Sequence, residues 1–89
     1  MYEFRWNAWN IEHIGRHDVT PDEAEYVLNN ARLPYPQRLG KERFLVVGQA
    51  PDGRHLQVVY VFDPVDIVFV IHARLLTDAE KRRFRRRRR

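Results

Sequence analysis

A chain of 89 residues can form one domain with a single modest core, and it is too short for two. Its hydrophobic fraction of 44% and aromatic fraction of 12% indicate a folded protein rather than a disordered one. The chain has no cysteine, which excludes a disulfide framework and a thiolate metal site and fits a reducing cytoplasm. It also lacks a secretory signal pattern and any apolar run near the roughly 20 residues that span a bilayer. We therefore expect a cytoplasmic protein without membrane contact.

The net charge of +4 comes from one end of the chain. Residues 82–89 contain seven arginines and no acid, whereas residues 1–81 contain nine Lys or Arg and twelve Asp or Glu. A block of like charges attracts a polyanion or an acidic partner, unless it is only a solvated tail. We predict a single domain over residues 1–84 and an arginine-rich tail over residues 85–89, in which Arg85 and Arg86 bind RNA.

The first half of the chain predicts a short strand and two helices. Residues 2–6 alternate loosely and predict the strand. Asn7 can cap a helix that runs to about Arg16. The apolar residues expected on one side of this helix are Ala8, Ile11 and Ile14. Residues 20–23, Thr-Pro-Asp-Glu, form a capping box and predict a second helix that ends near residue 30.

The second half predicts three strands and a last helix, after an extended connection that contains two prolines. Arg43–Gly48 and Arg54–Phe62 flank a turn and are expected to pair as an antiparallel hairpin. Ile67–Arg74 follows a second turn, and Thr77–Glu80 is a capping box that opens the last helix. The order β-α-α-β-β-β-α predicts an α+β domain, with an antiparallel sheet covered by helices on one face.

An imidazole and a guanidinium occur close together at the end of the last predicted strand. Because side chains alternate along a strand, His72 and Arg74 should project on one face while Ile71 and Ala73 face the other. A guanidinium can bind two phosphate oxygens, and an imidazole titrates near neutral pH. The pair therefore predicts a phosphate-handling site. The alternatives are an edge-of-core role for His72 and an ion pair between Arg74 and a carboxylate such as Glu42.

Two further motifs predict other functions less well. His13 and His17 have the i, i+4 spacing of many zinc ligands, but no cysteine accompanies them and Gly15 weakens the helix between them. We therefore expect no metal and no cofactor. The first two helices look like a helix-turn-helix, but the second carries acids at residues 22, 23 and 25 that would repel a phosphate backbone.

A set of short motifs runs through nearly the whole chain, from about Phe4 to Phe84. In order they are Trp6-Asn7, Arg16-His17-Asp18-Val19, Glu42-Arg43, Gly48, Gly53-Arg54, Val58-Val59-Tyr60, Ala73-Arg74 and Glu80 to Phe84. This order and spacing resemble BrnT-type toxins, which are small type II toxins with a RelE-like ribonuclease fold.

The chain departs from the pattern of that family at several positions. The family usually has Trp-Asp at residues 6–7, Lys-His-Gly-Val at residues 16–19, Ser-Ala-Arg at residues 72–74 and tyrosine at Phe84. The stretch between Trp6 and residue 17 also looks one residue shorter than usual.

The resemblance implies the toxin component of a type II toxin–antitoxin system, an endoribonuclease that cleaves RNA by attack of the 2′-hydroxyl without a metal. It implies His17, Arg54 and Arg74 as catalytic residues and Arg43 as an RNA ligand nearby; strand geometry adds His72. The implied partners are RNA and a cognate antitoxin, with which the chain could form an oligomer. The alternative is a non-catalytic module of the same fold that binds RNA or an acidic protein.

Each of these assignments also has a structural alternative. His17 at a helix end can interact with the helix dipole, and Arg54 after Gly53 can be a solvated turn residue. Trp6 and Trp9 are expected to be core or interface aromatics, and the alternative is that they are platforms on which bases stack.

Overall fold

The computed structural model describes residues 2–87, which contain five strands and three helices. The strands are β1 (Glu3–Phe4), β2 (Gln37–Leu39), β3 (Arg43–Gln49), β4 (His55–Asp63) and β5 (Ile67–Leu75). The helices are α1 (Ala8–Gly15), α2 (Pro21–Asn29) and α3 (Asp78–Arg87). The predicted α+β class is confirmed. None of the helices in this part of the chain is long and apolar enough to cross a membrane.

The strands form one sheet in the order β1-β5-β4-β3-β2. The predicted antiparallel pairing of β3, β4 and β5 is confirmed, with Val58 opposite Val46 on one side and Ala73 on the other. The prediction of an entirely antiparallel sheet is wrong, because β1 runs parallel to β5 with Glu3 opposite Ile67. The chain leaves β1 through two helices rather than through a hairpin. No local turn therefore sets the direction of β1 relative to β5. β2, which the sequence predicted only as an extended connection, adds a strand antiparallel to β3.

A β-bulge interrupts the pairing of β5 with β4. Val59 of β4 pairs with His72, whereas the next residue of β4 pairs two positions earlier on β5, so Ile71 is the extra residue. Beyond the bulge Arg74 lies opposite Gln57. Val59 and Gln57 share a face of the sheet, and therefore His72 and Arg74 do as well.

The helices pack on both faces of the sheet, and the prediction of helices on one face is wrong. A Cβ atom at Gly48 would lie 3.3 Å from Cγ1 of Val27, so this side of β3 meets α2. The preceding residue, Val47, points to the other face, where it lines a cavity of about 130 Å³ together with Phe84 of α3. Alternation along strands does not determine on which face a terminal helix returns, and here α3 covers the face opposite α2.

The core lies mainly between the sheet and the first two helices. Its fully buried side chains include Ile14, Val27, Leu28, Leu56, Val58, Tyr60 and Val70. α1 buries Ile14 as expected, but Asn10 takes the buried position beside it and Ile11 is 44% exposed. Burial of Asn10 is tolerated because its Oδ1 accepts from the Asn7 N–H at 2.8 Å and its Nδ2 donates to the Arg5 carbonyl at 3.2 Å.

The predicted helix starts are confirmed, but α3 extends into the predicted tail. Asn7 and Thr20 form capping boxes at α1 and α2. At α3 the Glu80 N–H donates to Oγ1 of Thr77, and the Thr77 N–H donates to the Glu80 carboxylate. The helix continues to Arg87, so residues 85–87 are helical. The last two residues of the predicted tail lie outside the described residues, and the division at residue 84 stays a prediction.

Candidate functional site

Three of the predicted site residues lie together. The rings of His17 and His72 have their centroids 5.5 Å apart, with an angle of 69° between their planes. His17 follows the end of α1, and His72 is on β5 beside the bulge. Arg74 lies two residues further along the same face of β5, close enough for its charge to act on His72. These three side chains, which we call the histidine–arginine group, combine two proton carriers with a cation.

Burial and neighbouring side chains adjust the protonation of His72. Its partial burial, and then the charges of His17, Arg74 and His13, lower the pKa of the His72 imidazole below its ordinary value near 6.5. His72 is therefore neutral at pH 7 and has one ring nitrogen that can accept a proton. This is the state that a general base requires.

Arg74 is already bound to a carboxylate. Its Nη1 and Nη2 donate to the two carboxylate oxygens of Glu80, both at 2.8 Å. Nη1 also donates to the Leu75 carbonyl at 3.0 Å, and Nη2 donates to Oε1 of Gln57 at 3.1 Å. The ion pair that was an alternative for Arg74 thus exists, with Glu80 in place of Glu42. A phosphate that reaches Arg74 must compete with Glu80.

The same contacts hold Glu80 in its charged form. Hydrogen bonds from Arg74 and then from Thr77 lower the pKa of Glu80 to about 2. Glu80 is therefore ionised at any pH near neutral. It connects the start of α3 to β5 through one side chain.

The guanidinium of Arg54 is bound by three partners of its own. Its Nε donates to Asp52 at 2.7 Å, its Nη1 donates to the Asp18 carbonyl at 2.9 Å, and its Nη2 forms an ion pair with Glu23 of α2. Asp18 directly follows His17 in the chain. Through its bond to Asp18, Arg54 holds the turn after α1 that contains His17. The assignment of Arg54 as a catalytic residue stays a prediction.

The predicted RNA ligands are more widely spaced. Arg43 is exposed at the start of β3 and lies opposite Val61, on the sheet face of His72. From strand spacing its backbone lies roughly 12 Å from that of His72. Arg85 and Arg86 are exposed on the last turns of α3. They add positive charge to the surface of α3.

Sequence reasoning missed a row of stacked rings beside this group. The rings of Trp9 and His13 are 4.8 Å apart with 12° between their planes, and those of Trp9 and Phe69 are 6.0 Å apart with 15° between them. Cζ of Arg5 lies 4.9 Å from the centroid of the Phe69 ring. The recurrence of Trp9, His13 and His17 at every fourth residue was the signal that could have revealed it.

In the described part of the chain, His13 on α1 and His17 just after it gain no further metal ligand. Within residues 2–87 no group of three or more His, Cys, Asp or Glu side chains is arranged to hold a metal ion. His13 stacks on Trp9, and His17 contacts His72.

Comparison of the chain with family models, curated proteins and solved structures gives no match. Its function is therefore inferred from its residues and their geometry.

Proposed function

We propose that this chain is a metal-independent endoribonuclease with a RelE-like fold, the toxin of a cytoplasmic type II toxin–antitoxin pair. The observation that carries the proposal is the contact of His17 with His72 beside Arg74. Cleavage by the RNA's own 2′-hydroxyl needs a proton acceptor, a proton donor and a cation at the phosphate. The histidine–arginine group supplies all three.

Each member of the group takes one role. Neutral His72 removes the proton of the 2′-hydroxyl, whose oxygen forms the new bond to phosphorus. Arg74 stabilises the charge that builds up on the phosphorane. His17, the second imidazole, donates a proton to the 5′-oxygen as its bond to phosphorus breaks. The products are a 2′,3′-cyclic phosphate and a free 5′-hydroxyl.

Two departures from the BrnT pattern have structural explanations that support the resemblance. Asn7 is the N-cap of α1, a position where asparagine and aspartate act alike. Asp18 has a φ of 59°, in the left-handed region where the glycine of the family is favoured. Neither departure removes a side chain from the histidine–arginine group.

The ion pairs of the arginines favour a second candidate function. Arg74 is bound by Glu80, and Arg54 is bound by Glu23 and Asp52. If these contacts only stabilise the fold, the chain is a non-catalytic module. It would then hold RNA or an acidic protein, such as the antitoxin, through the exposed arginines of α3.

Cleavage of an RNA panel in EDTA tests the proposal. Arg74→Ala should reduce the rate by about 100-fold or more, as does loss of one oxyanion donor. Arg74→Lys should recover only part of the rate, because an ammonium cannot bind two oxygens side by side. His17→Ala and His72→Ala should each lower the rate strongly as well.

The matched control is Arg32→Ala, which removes an exposed arginine from the loop before β2 and should leave the rate unchanged. Circular dichroism verifies folding of each variant. Activity that persists in Arg74→Ala would refute the site. Absence of cleavage by the wild type, with and without ribosomes, would favour the binding module.

A further inference from the structure

The stacked row leads away from the histidine pair along one side of α1. Residues four apart lie on the same side of a helix, so Trp9 and His13 point in one direction and His17 follows them. The row lies against β5, because Trp9 stacks on Phe69 and His17 contacts His72. The row and the candidate site therefore form one continuous surface.

The rings of this row are nearly parallel, and Trp9 is the exposed ring among them. Trp9 is 53% exposed, and His13 is half-buried. The planes of Trp9, His13 and Phe69 differ by no more than 15° between neighbours. A flat ring that is exposed to solvent offers a surface on which a nucleobase can stack, and such stacking tolerates any base.

Cations stand at both ends of the row. The Arg5 guanidinium covers Phe69 at one end, and Arg74 lies at the other. The carboxylates that face these cations are Asp63, which pairs with Arg5, and Glu80, which pairs with Arg74. A surface of rings between cations suits a single strand of nucleic acid, whose bases stack while its phosphates approach the positive charges.

We propose that Trp9 and His13 form a base-stacking subsite for single-stranded nucleic acid, which holds a nucleotide next to the phosphate at His17 and His72. This inference rests on the proposed function, because it extends the same site. α1 is about 12 Å long, so a short single strand can contact both ends of the row. An acidic protein would use the cations but would gain nothing specific from parallel rings.

Binding of non-cleavable oligonucleotides tests the subsite separately from cleavage. The probes are a fluorescein-labelled DNA octamer, which has no 2′-hydroxyl, and an abasic octamer with the same number of phosphates. Trp9→Ala should weaken binding of the first by about 10-fold or more, within the range found for base–aromatic stacks. It should leave binding of the abasic octamer unchanged, and Trp9→Phe should keep most of the affinity.

The chain offers a matched control on the same helix. Ile11 is 44% exposed but lies about 200° around α1 from Trp9, so Ile11→Ala should not affect binding. A second readout avoids dependence on truncation. The indole N–H of Trp6 donates to Glu25 of α2 at 2.7 Å. In Trp6→Phe the remaining tryptophan fluorescence reports on Trp9 alone. The octamer with bases should quench this fluorescence, and the abasic octamer should not.

The possible outcomes separate the subsite from the proposed function. Equal effects of Trp9→Ala on both octamers, no binding by the wild type, or no quenching by the octamer with bases would overturn the subsite. Base-dependent binding without RNA cleavage would retain the subsite and reject the ribonuclease. RNA cleavage with unchanged KM and kcat in Trp9→Ala would retain the ribonuclease and reject the subsite.

Discussion

Replacement of Glu80 by glutamine should destabilise the domain and, at the same time, release Arg74 for a phosphate. Glutamine keeps the shape of the side chain and can still accept from the Thr77 N–H, as it does in many capping boxes. The change therefore removes the charge of the Glu80–Arg74 ion pair and leaves the helix cap in place.

The expected loss of stability follows from the contacts of Glu80. Arg74, and then Thr77, lower the pKa of Glu80 from its ordinary 4.5 to about 2. At 1.36 kcal/mol per unit this shift corresponds to roughly 3 kcal/mol. The cap keeps part of it in the variant, and solvent screens part because the side chains of Arg74 and Glu80 are 31% and 22% exposed. We expect a loss of about 1–2 kcal/mol, or a fall in Tm of about 5–15 °C for a domain of this size.

Urea denaturation of wild type and Glu80→Gln between pH 7 and pH 3 measures this loss. The folded pKa of Glu80 lies below its unfolded value, so the stabilisation is complete above about pH 4.5 and disappears as pH falls through about 2. The difference between the two proteins should therefore be largest at neutral pH and become smaller towards pH 3. A difference that does not change with pH would refute the ion pair as its source.

The same variant decides between the structural and the functional role of Arg74. If Arg74 binds phosphate, Glu80→Gln should tighten RNA binding several-fold, because the competing carboxylate is gone. The gain should vanish in the Arg74→Ala background, which serves as the control. An affinity that stays the same or falls would show that Arg74 only holds α3 against β5.

Three further outcomes are expected. Asp18→Gly should stabilise the domain by about 0.5–1 kcal/mol in thermal melts, because it relieves a positive φ, and no gain would contradict this reason. His17→Gln should raise the pKa of His72 towards 6.5 in an NMR titration, because the electrostatic effect of His17, which contributes to lowering it, is lost; an unchanged pKa would show that the rings do not interact. Deletion of residues 85–89 should shift Tm by less than about 5 °C and reduce the salt dependence of RNA binding, whereas unfolding would assign these residues to the core packing.

Local signals in the sequence predicted most of the elements. The capping boxes at Asn7, Thr20 and Thr77 start the three helices where expected, because a cap depends on residues only three positions apart. The β3–β4 and β4–β5 hairpins depend on short turns and are likewise as predicted. Contacts between distant segments were not predictable in this way. The parallel pairing of β1 with β5 depends on where two helices return the chain, and no short pattern records it.

The same distinction between local signals and contacts of distant segments applies to the candidate site. Alternation along β5 placed His72 and Arg74 on one face from the sequence alone, because the period of a strand is a local property. Three contacts were determined only by the tertiary structure. They are the ring contact of His17 with His72, the ion pair of Arg74 with Glu80, and the hydrogen bond from Arg54 to the Asp18 carbonyl. Each of these contacts depends on how a helix packs against the sheet, and packing is decided by the burial of many side chains at once rather than by the residues that make the contact.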